Sequence, residues 1–365
     1  MTDSQFCIRG SQLQRFCQVS TRSAQNRELG SVLVTISGMK AIVVTAPTGP
    51  GGLKLQEVPD PQPRPNSSDV IVNVEAVGIN FADALGAQGR YPGGPKPPYV
   101  AGREFAGTIE GTGERVMGYC QYGACAEKIA ISRKALWPQF AGWSSAQSAA
   151  FPVNFLTAYL LYWKAGLTPM PADPSPHTEA KRPRVLIHAA AGGVGTACVQ
   201  IGRLLGVETF GTASSDDKLD RLKELGLNHP INYTREDYEE RVLGLTRGQG
   251  VDAVFDSLGG EHTAKSLRCC AFLGRVILFG TATGERPKFD TMALYSKAAS
   301  AHGLWLSKLA ENFDLINSAL TAMKPWVESG DVKPVIGAKF PLASTADAYK
   351  LLLERKSFGK LVVTI

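Results

Sequence analysis

The chain has 365 residues, 44% of them hydrophobic and 20% charged, with a formal net charge of +6. That is ordinary globular composition, long enough for two domains, and it argues against a disordered or fibrous chain. The positive charge is spread along the sequence, which gives little support for nucleic-acid binding, and the longest apolar stretch, 149–163, is broken by Pro152, Asn154 and Thr157, so no membrane span is expected.

Residues 1–38 carry Arg9, Arg15, Arg22 and Arg27 against only Asp3 and Glu28. Such a segment reads as a disordered or non-native extension, a mitochondrial transit peptide or a functional arm, outside the expected fold. From Met39, β-branched runs at 42–45, 70–74, 107–109 and 128–131 are separated by Pro and Gly clusters at 59–65 and 92–98. This is the pattern of a compact, barrel-like β domain. Residues 151–163 read as a helix leading into a second half, and 168–183, with five prolines, as a surface loop.

Val185, Leu186 and Ile187 suit a buried parallel strand, and 196–205 carries apolar residues at helical spacing. Between them lies Ala190-x-Gly192-x-x-Gly195, with Ala in place of the first Gly of the usual dinucleotide fingerprint. Small residues there allow a tight turn and let backbone N–H groups at the positive end of the helix approach a pyrophosphate. The flanks support this reading. Strands at 208–213, 231–233, 251–255 and 275–279 alternate with helices at 216–225 and 236–245, and Gly280 follows the last strand. Such alternation implies a doubly wound parallel sheet with right-handed crossovers. Beyond Leu306 the alternation stops, and 334–340 and 359–365 look like strands returning to the first domain.

An NAD enzyme places an acid near the ribose roughly twenty residues beyond the glycines. Here that place holds Ser214, and Ser214, Ser215 and Lys218 can hold a 2′-phosphate instead, so the expected cofactor is NADP(H). Asp216 and Asp217 are better suited to the N-terminus of the next helix. The seven cysteines, Cys7, Cys17, Cys120, Cys125, Cys198, Cys269 and Cys270, form no Cys-x-x-Cys pair, and the adjacent Cys269 and Cys270 are read as helical. Structural zinc and a disulfide scaffold are disfavoured, and a reducing cytosol is the simplest compartment.

The segments MKAIVV (39–44), VGINFAD (77–83), GREFAG (102–107), 189–203, INY (231–233) and FDSLGG (255–260) resemble the zinc-independent, zeta-crystallin-like quinone oxidoreductases of the medium-chain dehydrogenase/reductase superfamily. Within these, 153–159 and 229–233 are most similar to the vesicle amine transport protein homologues. The resemblance implies an α/β protein: a β-rich GroES-like catalytic domain, 39–157 and 306–365, plus a Rossmann cofactor domain, 158–305. It implies cofactor contacts from Ala190, Gly192, Gly193, Val194, Gly195, Ser214, Lys218, Tyr233 and Gly280. It places Asn80 and Tyr91 in the substrate site, where an amide and a phenol can orient a quinone or enone oxygen; Tyr91 is read either as a proton donor or as loop packing. The positions that match the metal ligands of zinc-dependent members are Asn80, Arg103 and Asn154, none of them a plausible zinc ligand. Asp83 and His188 are read as structural, and Arg103 as an ion-pair partner of Asp83 or Glu104 more than a substrate anchor. The proline-rich insertion and a short 109–116 segment depart from the family pattern.

The expected function is NADPH-dependent quinone reduction without metal. The alternatives are enone or alkenal double-bond reduction, and a nucleotide-bound protein of vesicle or lipid handling without strong catalysis. An edge strand around 298–306 is expected to pair two subunits into a homodimer.

Overall fold

The computed structural model describes residues 38–168 and 182–365, so the readings for 1–37 and for 169–181 lie outside the described residues. Six parallel strands form one sheet in the order His229–Asn232, Glu208–Ala213, Arg184–Ile187, Val251–Asp256, Cys270–Leu278 and Ser300–Gly303. Val185, Leu186, Ile187, Val254 and Phe255 are almost wholly buried, as continuous apolar runs covered on both faces must be. The strand order reverses between Arg184–Ile187 and Val251–Asp256. In an open parallel sheet that reversal leaves a crevice beyond the carboxyl ends of the strands, where ligands bind.

The helices follow the sequence pattern with shifted ends. The first starts at Gly193 rather than at 196, because Gly192 takes the extended N-cap conformation and the glycines themselves form the first turn of Gly193–Leu204. Asp237 caps Tyr238–Leu245 by accepting from Glu239 N at 2.8 Å, so that helix starts after the acids at 236 and 237. Cys269 and Cys270 do not share a helix. Glu261–Cys269 ends at the first, and Cys270, extended at φ −64° and ψ 147°, opens the next strand.

The β-rich half has a seven-stranded sheet running Ile336–Pro341, Lys360–Thr364, Asp69–Ile79, Glu104–Ile109, Arg115–Tyr119 and Leu136–Pro138, with Lys128–Ser132 also on Asp69–Ile79. A three-stranded sheet of Leu53–Pro59, Gly38–Val44 and Tyr99–Val100 accompanies it. Val72, Val74, Val77, Phe105, Leu361 and Val363 interdigitate in this half's core. Burying them at about 1.5–3 kcal/mol each is what holds the late strand Lys360–Thr364 to a partner nearly three hundred residues earlier in the chain. Pro152–Lys164 is buried on nearly every face and packs against Gly193–Leu204, joining the two halves. Helix Phe313–Glu328 sets Ile316, Ala319, Met323 and Val327 into the core shared with Cys198 and Val199, and the chain rejoins the β-rich sheet at Ile336. No helix among the described residues is long and apolar enough to cross a membrane.

Candidate active site

A cleft of about 620 Å³ opens where the parallel sheet reverses and is closed on its far side by the β-rich half. At one end lies the glycine turn. Gly192, Gly193, Val194 and Gly195 line the cleft, and the helix they begin has no acidic side chain in its first turn to answer its free N–H groups and positive dipole end. Side chains are excluded there by contact: a Cβ on Gly195 would come within 2.4 Å of Ala190 O, and one on Gly193 within 2.5 Å of Asn154 Nδ2. At Gly192 the nearest atom would be Ala189 O at 3.3 Å. Ala190 is fully buried beneath the turn and does not line the cleft, so it shapes the turn through packing rather than by touching a ligand. Gly359 N donates to Ala191 O at 2.8 Å, pinning the turn to the β-rich half.

Farther along the rim, Ser214, Lys218 and Tyr233 converge with Arg355. Lys218 Nζ donates to Arg355 O at 2.6 Å, and partial burial lowers its pKa. Asp216, the nearby acid, accepts from Asn232 Nδ2 at 2.7 Å and is ion-paired with Arg235, so its charge is already answered. Gly280 and Ser257 sit across from the turn. The Ser257 hydroxyl is buried without a hydrogen-bond partner, an orphaned polar atom of the kind a bound ligand satisfies. His188, behind it, has Thr212 Oγ1 at 3.3 Å and Ser266 Oγ at 3.1 Å on its two ring nitrogens, and burial pushes its pKa down to about 4. It is a neutral, satisfied core histidine.

The other end of the cleft holds a buried polar cluster. Lys360 Nζ pairs with Glu104 Oε1 and donates to Asn80 Oδ1 at 2.6 Å and to Asn154 Oδ1 at 3.4 Å. Glu104 also accepts from Asn80 Nδ2 at 2.9 Å and from Val153 N at 2.7 Å. The Asn80 amide gives its other proton to Gly78 O at 3.3 Å. Asn80 therefore lines the cleft with its amide already committed. Arg103 pairs with Asp83 rather than Glu104, Nε to Oδ1 at 3.2 Å, and burial, set against that guanidinium, raises the Asp83 carboxyl to about 6.

Tyr91 stands opposite Trp305 and Ser307, with the Arg103 guanidinium 4.1 Å from its ring centroid. The cleft thus gathers every residue expected from the sequence except Ala190 and Ser215, the latter at the N-cap position of the helix Asp216–Glu224 outside the lining. Sequence reading missed Lys360, Trp305, Ser307, Tyr119, Ser257 and Arg355. Lys360 alone left a signal, a single lysine in the apolar run 358–363; the others sit in loops, at strand ends or, for Ser307, in the short helix Leu306–Leu309, with no local pattern.

Two family patterns match the chain: an alcohol dehydrogenase GroES-like domain at residues 66–140 and a zinc-binding dehydrogenase at residues 193–321. A quinone oxidoreductase-like protein 2 homolog of Nematostella vectensis is 34% identical over 311 residues, which is 81% of this chain and 82% of the relative. The synaptic vesicle membrane protein VAT-1 homolog of Mus musculus is 32% identical over 352 residues, 89% of this chain and 83% of the relative. Among solved structures, the quinone oxidoreductase from Thermus thermophilus, described also in complex with NADPH, superposes with a TM-score of 0.76 at 33% identity, covering 90% of this chain and all of that one.

Proposed function

Taking as premise that this chain is an oxidoreductase of the medium-chain dehydrogenase/reductase superfamily, related to its quinone oxidoreductase-like and VAT-1 homologues, we propose that it is an NADPH-dependent, metal-independent reductase of quinone-type acceptors. The observation that carries the proposal is the Lys360 cluster. The positions compared with zinc ligands are two neutral amides and an arginine already paired with Asp83, and the space between the amide oxygens and the Glu104 carboxylate is filled by a buried ammonium. A zinc ion there would have to expel that cation and rely on weak amide donors, so the residues do not fit the metal.

They do fit a dinucleotide. Gly192, Gly193, Val194 and Gly195 hold the pyrophosphate on backbone N–H groups, and Ser257 offers its unpartnered hydroxyl beside Gly280. Ser214, Lys218, Tyr233 and Arg355 surround the place of a 2′-phosphate, and the pairing of Asp216 with Asn232 and Arg235 removes the repulsion that phosphate would meet. A bound reduced nicotinamide supplies the hydride. This chain's own part is to seat the acceptor between Tyr91 and the glycine turn and to exclude water with the apolar walls of Phe81, Leu85, Leu304 and Leu306. Asn80 serves by fixing Lys360 and Glu104 rather than by touching the acceptor.

The unpaired edge strand Ser300–Gly303, close in sequence to the exposed Tyr295, suits pairing with a second copy, and free cysteines suit a reducing cytosol. The test is chelator-treated protein with NADPH, and NADH alongside, against quinones and enones, following nicotinamide oxidation. Quinone turnover favouring NADPH is expected. Turnover that requires added zinc, or saturated product from enones with no quinone reduction, would overturn the proposal.

A further inference from the structure

The Tyr91 hydroxyl oxygen accepts a 2.6 Å hydrogen bond from Trp305 Nε1, and Ser307 Oγ lies 3.2 Å away. Ser307 Oγ in turn accepts from the Tyr119 hydroxyl at 2.8 Å, and the Arg103 guanidinium lies against that same hydroxyl. A guanidinium and an indole N–H only donate, so the Arg103 and Trp305 ends of this chain have a fixed direction, while either hydroxyl can donate in the Tyr91–Ser307 contact. Arg103 addresses Tyr119, Tyr119 donates to Ser307, and Trp305 donates to Tyr91, which leaves Ser307 its own proton to give to Tyr91. Burial pushes the Tyr119 phenol up to about 12, which keeps it a donor at neutral pH. When Ser307 gives that proton, the Tyr91 oxygen accepts from two neighbours and its own proton is left for the cleft that Tyr91 lines.

We propose that Trp305, Ser307 and Tyr119 are positioning residues that make Tyr91 the acid of the reaction, aiming its proton at the acceptor and holding the phenolate that remains. The inference rests on the reductase reading above and adds to it the source of the proton. The acceptor gains a hydride from the reduced nicotinamide, and the O–H bond of Tyr91 breaks as its proton moves to the acceptor oxygen that has become anionic. The phenolate is met by the Trp305 N–H, the Ser307 O–H and the Arg103 cation over its ring, until product leaves and a cleft water returns the proton. Trp305 and Ser307 follow the last strand of the parallel sheet, whereas Tyr91 and Tyr119 belong to the β-rich half, so the donor is oriented only when both halves face each other across the cleft.

The experiment uses the full chain with NADPH and a quinone panel, reading kcat, KM, NADPH affinity by fluorescence and the solvent isotope effect on kcat. Tyr91→Phe is expected to lower kcat about 100-fold, and Ser307→Ala and Trp305→Phe about tenfold, with NADPH affinity held within about twofold. The solvent isotope effect rises in Ser307→Ala, as proton transfer becomes slower, and Ser307→Thr restores both values. Tyr119→Phe, which removes only a hydroxyl, reports the same trend without loss of packing. Wild-type kcat and isotope effect in Ser307→Ala and Tyr119→Phe, in a chain that does reduce quinones, would overturn this inference alone. Absence of NADPH oxidation by the wild type with every acceptor would overturn the reductase reading and this inference together.

Discussion

Replacing Lys360 by Met keeps most of the side-chain volume and removes one buried charge. Lys360 and Glu104 have side chains 2% and 0% exposed, so the carboxylate left behind cannot turn to water and keeps only Asn80 Nδ2 and Val153 N as donors. Breaking such a pair from one side costs about 3–5 kcal/mol, a large fraction of a typical folding free energy of about 5–15 kcal/mol. Neutralising the orphan should return much of that loss: in Lys360→Met with Glu104→Gln no charge remains unanswered. The expected coupling between the two sites is about 2 kcal/mol or more, measured from urea midpoints of wild type, both single variants and the double variant, followed by tryptophan fluorescence. If the two substitutions simply add, or Lys360→Met unfolds within about 0.5 kcal/mol of wild type, the buried pair is not what organises this end of the cleft.

Asp83 supplies a pH-dependent prediction. Burial raises its folded carboxyl to about 6, so between its unfolded value and that point the folded chain binds more protons, and stability falls as pH rises. Urea midpoints of wild type should decline relative to Asp83→Asn by up to about 3 kcal/mol between about pH 4 and 7, and parallel slopes would contradict it. Lys218→Ala should raise KM for NADPH by about 10–100-fold while leaving KM for NADH little changed, as steady-state assays with both cofactors would show. Gly195→Ala, whose methyl would press on Ala190 O at 2.4 Å, should cost at least about 2 kcal/mol by thermal or urea denaturation. Gly192→Ala, with its nearest contact at 3.3 Å, should cost under about 1 kcal/mol.

The parallel-sheet half was legible because each of its units is local: an apolar run, a turn glycine and a periodic helix fall within one stretch of chain, as at 185–206. The glycine turn and the non-acidic Ser214 could be read for the same reason. Helix Phe313–Glu328 was not, although Ile316, Ala319, Met323 and Val327 recur at helical spacing, because Pro325 near its end masks the pattern. The substrate end of the cleft resisted for a different reason. Asn80 could be placed there, but that its amide is consumed by Glu104 and Gly78 depends on Lys360, 280 residues away. Trp305 and Ser307 likewise matter only through Tyr91, more than two hundred positions earlier, and no window of sequence contains such a pair.

The union of Lys360 with Asn80, Glu104 and Asn154 also has a consequence for the order in which the chain folds. The parallel-sheet half lies in sequence between the strand Asp69–Ile79 and its neighbour Lys360–Thr364, so the β-rich half cannot close its sheet until everything between them has been made and brought together. Contacts of such sequence separation form slowly, because a long loop must be closed before any of them is rewarded. The parallel-sheet half, built of adjacent units, can condense first and serve as the surface on which the β-rich half is completed. Glu104 then waits in a half-formed sheet for its counter-ion, and the seating of Lys360 becomes one of the last events on the way to an active protein.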